Sequence, residues 1–288
     1  MALSVVDLYR DVLPKTNCGD CGFPTCIAFA GMVVADRHPL DGCPHLSPEV
    51  VNRCNRELAD QYAAGKWTKR DLAQDALVWA RERSASMDLT DLPGRIGGTL
   101  VDNDDGMVLK LPYFDGHILI GPDDIQRSDG TDLGRWEKVF IYNHMAQGGT
   151  RSPSGNWRGF EEFPNTVSKV KTMAAQAEAP LVKRFHGRLK ALVASAQGIG
   201  GKDVTDGQTS ADAALCFHVF PRVPVMLLFW DEDPADGFGA TAKLLFDETI
   251  VDHLDIESIV FLGERLRQMI CDAADAAHQG LKALSTGR

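Results

Sequence analysis

Four cysteines near the amino terminus constrain this chain more than any other feature. Cys18, Cys21, Cys26 and Cys43 stand at a C-x2-C-x4-C-x16-C spacing, and Pro44 directly follows the last of them. Packing does not explain three thiols within nine residues, because a buried cysteine needs only an apolar neighbour. A disulfide framework suits the chain no better. It is 288 residues long, and its start, MALSVVDLYRDVLPK, sets Asp7 and Asp11 inside the apolar pattern, unlike a signal or transit peptide. Metal ligation is left as the leading reading. Zinc and iron–sulfur clusters both accept four thiolates, and unligated thiols stand as a third alternative. Zinc ribbons pair two short knuckles across a long loop, whereas here three thiols crowd together and one Cys-Pro returns from afar, the habit of a cluster. Gly19 and Gly22 free the backbone to curl around such a group. The run IAFAGMVVA after Cys26 would shield it from water.

Short helices should surround these thiols. Ser4 caps VVDLYRDVL, which Pro14 stops. A second helix follows Cys26 and ends near Arg37, and Ser47-Pro48-Glu49 opens a third that runs to about Ala64, ended by Gly65. Each of the first two is too short to persist alone in water, so metal binding and local folding are expected to be coupled. Cys54 lies off the ligand spacing and reads as a packing residue.

The string LPKTNCGDCGFPTCIAFA, with Asp41-Gly42-Cys43-Pro44, resembles a small 4Fe–4S domain. That domain opens the large subunit of corrinoid/iron–sulfur proteins and recurs in the B subunit of the Rnf electron-transport complex. The resemblance covers about fifty residues of this chain. It implies that Cys18, Cys21, Cys26 and Cys43 hold one low-potential 4Fe–4S cluster that passes electrons singly. It also makes a corrinoid protein or its methyltransferase system a reasonable recipient, although no feature here supplies a corrinoid-binding part.

Charge argues in the same direction by exclusion. The formal net charge is −10, of which residues 1–84 carry about −1. An acidic remainder is a poor match for nucleic acid, whose phosphates need a basic footprint. No apolar run approaches the ~20 residues that span a bilayer. A cytoplasmic protein is expected, in a compartment whose reducing potential suits thiolate ligands.

Beyond the thiols, Thr68 with Asp71 should cap a helix through KRDLAQDALVWARERS, with Leu72, Ala76, Trp79 and Ala80 on its apolar face, Ala73 beside them and Val78 on a flank. Strands are expected at Arg95–Val101, Met107–Leu111 and His117–Ile120, with Asp102–Gly106 as a hairpin turn rather than a calcium loop. A helix over Leu133–Gln147 follows. Arg151–Pro164 reads as a long loop in which Arg151, Arg158 and Trp157 would either receive an anion or planar ligand or merely pin the surface. Asn165 should cap the next of two helical stretches, broken at Pro180 and ending near Gly198. GIGGKDVTDGQTS reads as a flexible connection and not a phosphate loop. Strands at Leu215–Phe220 and Val223–Trp230 come next, the second closed by Asp231, Glu232 and Asp233, which read as a solvated turn ahead of a cation site or a contact for a basic partner. A strand and short helix in FGATAKLLFDETIVDHL lead to a final helix from Ile256 to Ala277. Cys216 and Cys271 read as core cysteines.

The stretch from about Asp91 to Leu284 resembles a family of unassigned function that is often fused to this cluster domain. The resemblance rests on Trp157-Arg158-Gly159-Phe160, on Phe220–Asp233 and on Ala242–Asp247. The expected fold is α+β, a small helical 4Fe–4S module followed by a mixed α/β domain: 1–64 for the cluster, 65–90 as a helical connector, 91–288 as the domain of unassigned function. The expected function is an iron–sulfur redox protein. The alternatives are an electron-fed enzyme or small-molecule binder in the carboxy-terminal domain, or an interaction module with a structural metal. No catalytic residue can be named.

Overall fold

The computed structural model describes residues 3–66, 72–103, 106–121, 124–206, 210–233 and 237–286. The chain packs as two units, Met1–Leu72 and Ala73–Arg288, and the fold is α+β.

The first unit is helical. Ser4 and Asp7 form a reciprocal capping box at the start of α1 (Val5–Asp7), which continues as a π turn over Leu8–Val12. Thr25 caps α2 (Cys26–Asp36) by accepting from the Ala28 amide, and Arg37 closes it in a left-handed conformation. A 3-10 turn over Leu40–Gly42 leads to α3 (Pro48–Ala63), which Ser47 caps and Pro48 pre-shapes. Leu8, Phe29, Ala30, Val33, Val34, Leu40, Cys54 and Leu58 form a small apolar core. The Tyr62 hydroxyl donates to the Val33 and Val34 carbonyls at 2.8 and 3.2 Å, tying α3 to the last turns of α2.

The second unit begins within α4 (Leu72–Ser84). The expected Thr68–Asp71 cap lies outside the described residues. The apolar face of α4 differs from expectation. Ala80 is buried with Ala76 and Leu77 packed beside it, while Trp79 is 73% exposed. Residues 73, 77, 80 and 84 share one stripe at 100° per residue, and Trp79 stands about 120° away from it. The segment before the first strand also departs from expectation. Pro93 sits in the first turn of a short helix, α5 (Leu92–Ile96), so the strand starts only at Thr99.

A four-stranded antiparallel meander follows: β1 (Thr99–Asn103), β2 (Gly106–Tyr113), β3 (Gly116–Ile120) and β4 (Ile125–Arg127). Asn103 pairs with Gly106 across residues 104–105, which are not described, so the hairpin reading of this segment holds. After α6 (Arg135–Gln147), the expected loop Arg151–Pro164 contains structure of its own: β5 (Trp157–Gly159) pairs with a later strand, and Phe160–Glu162 is a 3-10 turn. Asn165 adopts φ of 64° and caps nothing; the next helix, α7 (Val170–Met173), starts after Lys169. It runs through a π segment, Ala174–Glu178, into α8 (Ala179–Phe185). The π turn lets the helix pass Pro180, whose ring and missing N–H would otherwise break it. Then come α9 (Leu189–Gln197), β6 (Lys202–Asp203), β7 (Ala213–Phe220), β8 (Val223–Trp230), β9 (Thr241–Asp247) and α10 (Ile256–Thr286). The connection expected to be flexible thus contributes β6, paired Lys202 to Cys216. These strands form an antiparallel sheet in the order β5-β9-β8-β7-β6. Ile259, Leu262, Leu266 and Ile270 of α10 are all fully buried in the core that lies on this sheet. Cys216 and Cys271 are half-buried rather than sealed, and Cys271 packs against that core.

Candidate metal centre

The loop that carries the first thiols is shaped by left-handed residues. Lys15, Asn17, Gly19 and Gly22 all have positive φ, and the Gly22 amide donates to the Gly19 carbonyl at 2.8 Å. A Cβ at Gly19 or Gly22 would meet nothing within 4 Å. These glycines are therefore needed for their backbone conformation, not for space. The Asn17 side chain accepts from the Cys26 amide at 2.9 Å, which folds the loop back onto the start of α2. Phe23 packs against Phe29 and His38, with ring centroids 5.7 and 5.2 Å apart, and seals the loop from behind. From the other side the 3-10 turn delivers Cys43, whose amide donates to the Leu40 carbonyl.

Cys18, Cys21 and Cys26 lie near enough to Cys43 for their charges to act on it, and burial pushes the Cys43 thiol above its ordinary pKa. Access is graded: Cys26 and Cys43 are each 6% exposed, Cys21 is intermediate, and Cys18 is exposed. At Cys18 the environment reverses. The Asp20 backbone amide, the Thr16 hydroxyl and His45 hold its thiol below the ordinary value. A low-pKa thiol is a thiolate in the making, and the thiolate is the ligating form. This donor set, sulfur throughout, with backbone freed by glycine and apolar side chains behind it, fits an iron–sulfur group.

His45 and Asp20 were not among the residues expected to matter. His45 Nε2 lies 3.4 Å from Cys18 Sγ and 2.8 Å from Asp20 Oδ2. Cys18, Asp20 and His45 are the one group of three or more potential ligands, among the described residues, whose donor atoms all lie within 4.8 Å of one another. The sequence carries a signal for them, since each follows a candidate thiol by two positions. Spacing alone does not say that they meet.

The other sequence-flagged segments assemble no comparable centre. Arg151 is paired with Asp252 at 3.1 Å, and Arg158 with Glu162 at 3.4 Å and Glu248 at 3.9 Å, so both guanidinium groups already face carboxylates. The buried Asp247 carboxylate accepts from the Ser154 and Gly155 amides at 3.1 and 2.7 Å and from Thr249, which pins this stretch to β9. Asp231 accepts from the Gly187 amide at 2.7 Å and its own amide donates to Asp212, bracing the end of β8. Pro234 lies outside the described residues. His144 and His253, far apart in sequence, are both fully buried with ring centroids 6.0 Å apart. His144 Nδ1 donates to the His253 carbonyl and His253 Nε2 to the Arg151 carbonyl.

The comparisons with known proteins divide the chain along the same lines. Residues 13–45, within the first unit, match the family described as "Putative Fe-S cluster". The corrinoid/iron-sulfur protein large subunit of Moorella thermoacetica is 42% identical over 64 residues, 22% of this chain and 13% of that protein. The acetyl-CoA decarbonylase/synthase complex subunit gamma of Methanothermobacter thermautotrophicus is 41% identical over 59 residues, 20% of this chain and 13% of that protein. Its counterpart in Methanocaldococcus jannaschii is 44% identical over 58 residues, again 20% of this chain and 12% of that protein. The chain thus spans only about an eighth of the length of these curated relatives. No solved structure matches. No helix among the described residues is long and apolar enough to cross a membrane. Residues 88–269, well over half of the chain, match the family described as "Domain of unknown function (DUF3786)", and the chain belongs to that family.

Proposed function

We propose that this chain is an iron–sulfur redox protein in which Cys18, Cys21, Cys26 and Cys43 hold one low-potential 4Fe–4S cluster. The observation that carries the proposal is that four thiols, graded from buried to exposed, lie within the residues that match an iron–sulfur family.

When bound, such a cluster supplies a one-electron centre: one electron arrives from a reduced donor protein and one leaves for an oxidised acceptor, with no bond made or broken. The chain's own residues set how this happens. Phe23, Phe29 and His38 keep water from the buried side. The exposed Cys18 corner is where a partner can approach. In the proposed organisation residues 1–64 carry the cluster, 65–90 connect, and 91–288 choose the recipient. Relatives named for corrinoid/iron–sulfur and acetyl-CoA decarbonylase/synthase proteins motivate a corrinoid protein or methyltransferase as that recipient. The reducing cytoplasm is the compartment that suits it.

The test is anoxic purification with metal and sulfide analysis. About four iron and four sulfide per chain, brown colour and a reducible EPR signal are expected. A colourless protein with about one zinc would sink the proposal. The recipient is tested separately, by following cobalt reduction when the reduced protein is mixed with a corrinoid protein; no reduction would remove that assignment alone.

A further inference from the structure

The exposed corner of the candidate centre carries a polar cap that no spacing argument anticipates. His45 Nε2 faces Asp20 Oδ2 at 2.8 Å and Cys18 Sγ at 3.4 Å, so both contacts use one ring nitrogen. A nitrogen that close to a carboxylate oxygen must carry the proton, since two lone pairs would repel. The Nε2–H is therefore shared between carboxylate and sulfur, and the tautomer is assigned by these partners. Asp20 follows Cys18 by two positions and His45 follows Cys43 by two. The contact thus staples together the two segments that deliver the first and last thiols. His45 and Asp20 are 44% and 52% exposed, yet each finds the other across 25 positions of sequence.

We propose that His45 and Asp20 act as opposed positioning residues that set the reduction potential of a cluster ligated by Cys18. This rests on the cluster reading above and goes beyond it, because it assigns roles to two residues outside the ligand set. The physics is electrostatic. An N–H directed at a ligand sulfur stabilises added negative charge and raises the potential. A carboxylate beside the same sulfur repels an added electron and lowers it. By sharing its proton, His45 also shields Cys18 from the Asp20 charge. The two residues therefore pull in opposite directions, and their loss should show opposite signs. A merely structural staple would give the same sign, or none, for both.

The experiment uses the full chain, reconstituted anoxically, with midpoint potentials from EPR-monitored titration at one fixed pH. His45→Ala is expected to move the potential to more negative values, and Asp20→Asn to more positive ones, with iron per chain as in the wild type. His45→Gln, which restores an amide N–H, should recover part of the loss. Raising the salt concentration should shrink the Asp20→Asn shift, because an exposed charge is screened. Unchanged potentials in all three variants, or shifts of one sign for His45→Ala and Asp20→Asn, overturn the proposal. If His45→Ala fails to take up iron, Asp20→Asn and His45→Gln decide it: a positive shift in the first with a near-native value in the second supports it, and an unchanged first overturns it. Wild-type protein that holds no iron would instead refute the cluster reading itself, so the two failures are told apart.

Discussion

Phe29→Ala is the substitution that most directly links the small core to the candidate centre. Phe29 is 1% exposed, and its ring lies 5.7 Å from Phe23 and 5.8 Å from His38, behind the loop that carries Cys18 and Cys21. Truncating a buried phenylalanine costs about 3–5 kcal/mol. The unit that bears the cost runs only from Met1 to Leu72. At ~0.05–0.15 kcal/mol per residue, a unit of this size has about 4–11 kcal/mol of stability. The substitution thus removes from a quarter of it to all of it, and the loop loses its backing at the same time. Differential scanning calorimetry with iron analysis reads both effects. The transition of the first unit should fall by well over 10 °C or disappear, and iron per chain should drop with it, while the second unit melts as before. Trp79→Ala is the control, since Trp79 is 73% exposed on α4 and surface changes usually stay within about ±0.5 kcal/mol. Native iron content and an unmoved transition in Phe29→Ala would refute the argument that this core and the thiol loop form one cooperative piece.

Three further outcomes follow from the second unit. Glu137 is 4% exposed and accepts from Tyr113 at 2.8 Å and Arg127 at 2.7 Å, with Arg265 Nε at 3.0 Å; Glu137→Ala strands these donors and should cost about 3–5 kcal/mol in a urea titration, a loss below about 1 kcal/mol counting against it. Asp247 loses some of its acidity to burial, but hydrogen bonds from Thr249, Ser154 and Gly155 win and hold its carboxyl below the ordinary value of 3.8. Its contribution is therefore present above that value and lost as pH falls through the lower folded one, so acid unfolding of Asp247→Asn should show a weaker pH dependence below about pH 4. Burial lowers His144 to about 3, with the nearby charges of Arg95 and Arg222 acting in the same sense. The unfolded chain then binds the extra proton below the ordinary 6.5, so stability falls as pH drops, by about 2 kcal/mol between pH 6.5 and 5. His144→Gln should flatten that slope, and an unaltered slope in equilibrium unfolding would contradict it.

Local rules explain why much of this fold could be read in advance. Ser4 and Ser47 cap helices where oxygen-bearing side chains precede helical runs, because unsatisfied amides at a helix start demand an acceptor nearby in the chain. The strands β7 and β8 stand out as apolar runs because one face of each is fully buried and most of the other is at least half-buried. Expectations failed where a distant neighbour decided. Arg151–Pro164 looks like a free loop until Asp247, over ninety residues away, supplies its hydrogen bonds. Trp79 looks like a core residue by type, and points outward because the remainder of its helix has a better stripe to bury.

The same division holds at the candidate centre. Cysteine spacing by itself marked four thiols as candidate metal ligands, since sulfur ligation is a property of residue type and chain reach. Only the tertiary structure decided which thiol faces solvent and what stands beside it. The meeting of His45 with Asp20 and Cys18 depends on how two separate segments are folded against α2 and α3, and contacts across 25 or more positions are set by packing, which no local pattern encodes.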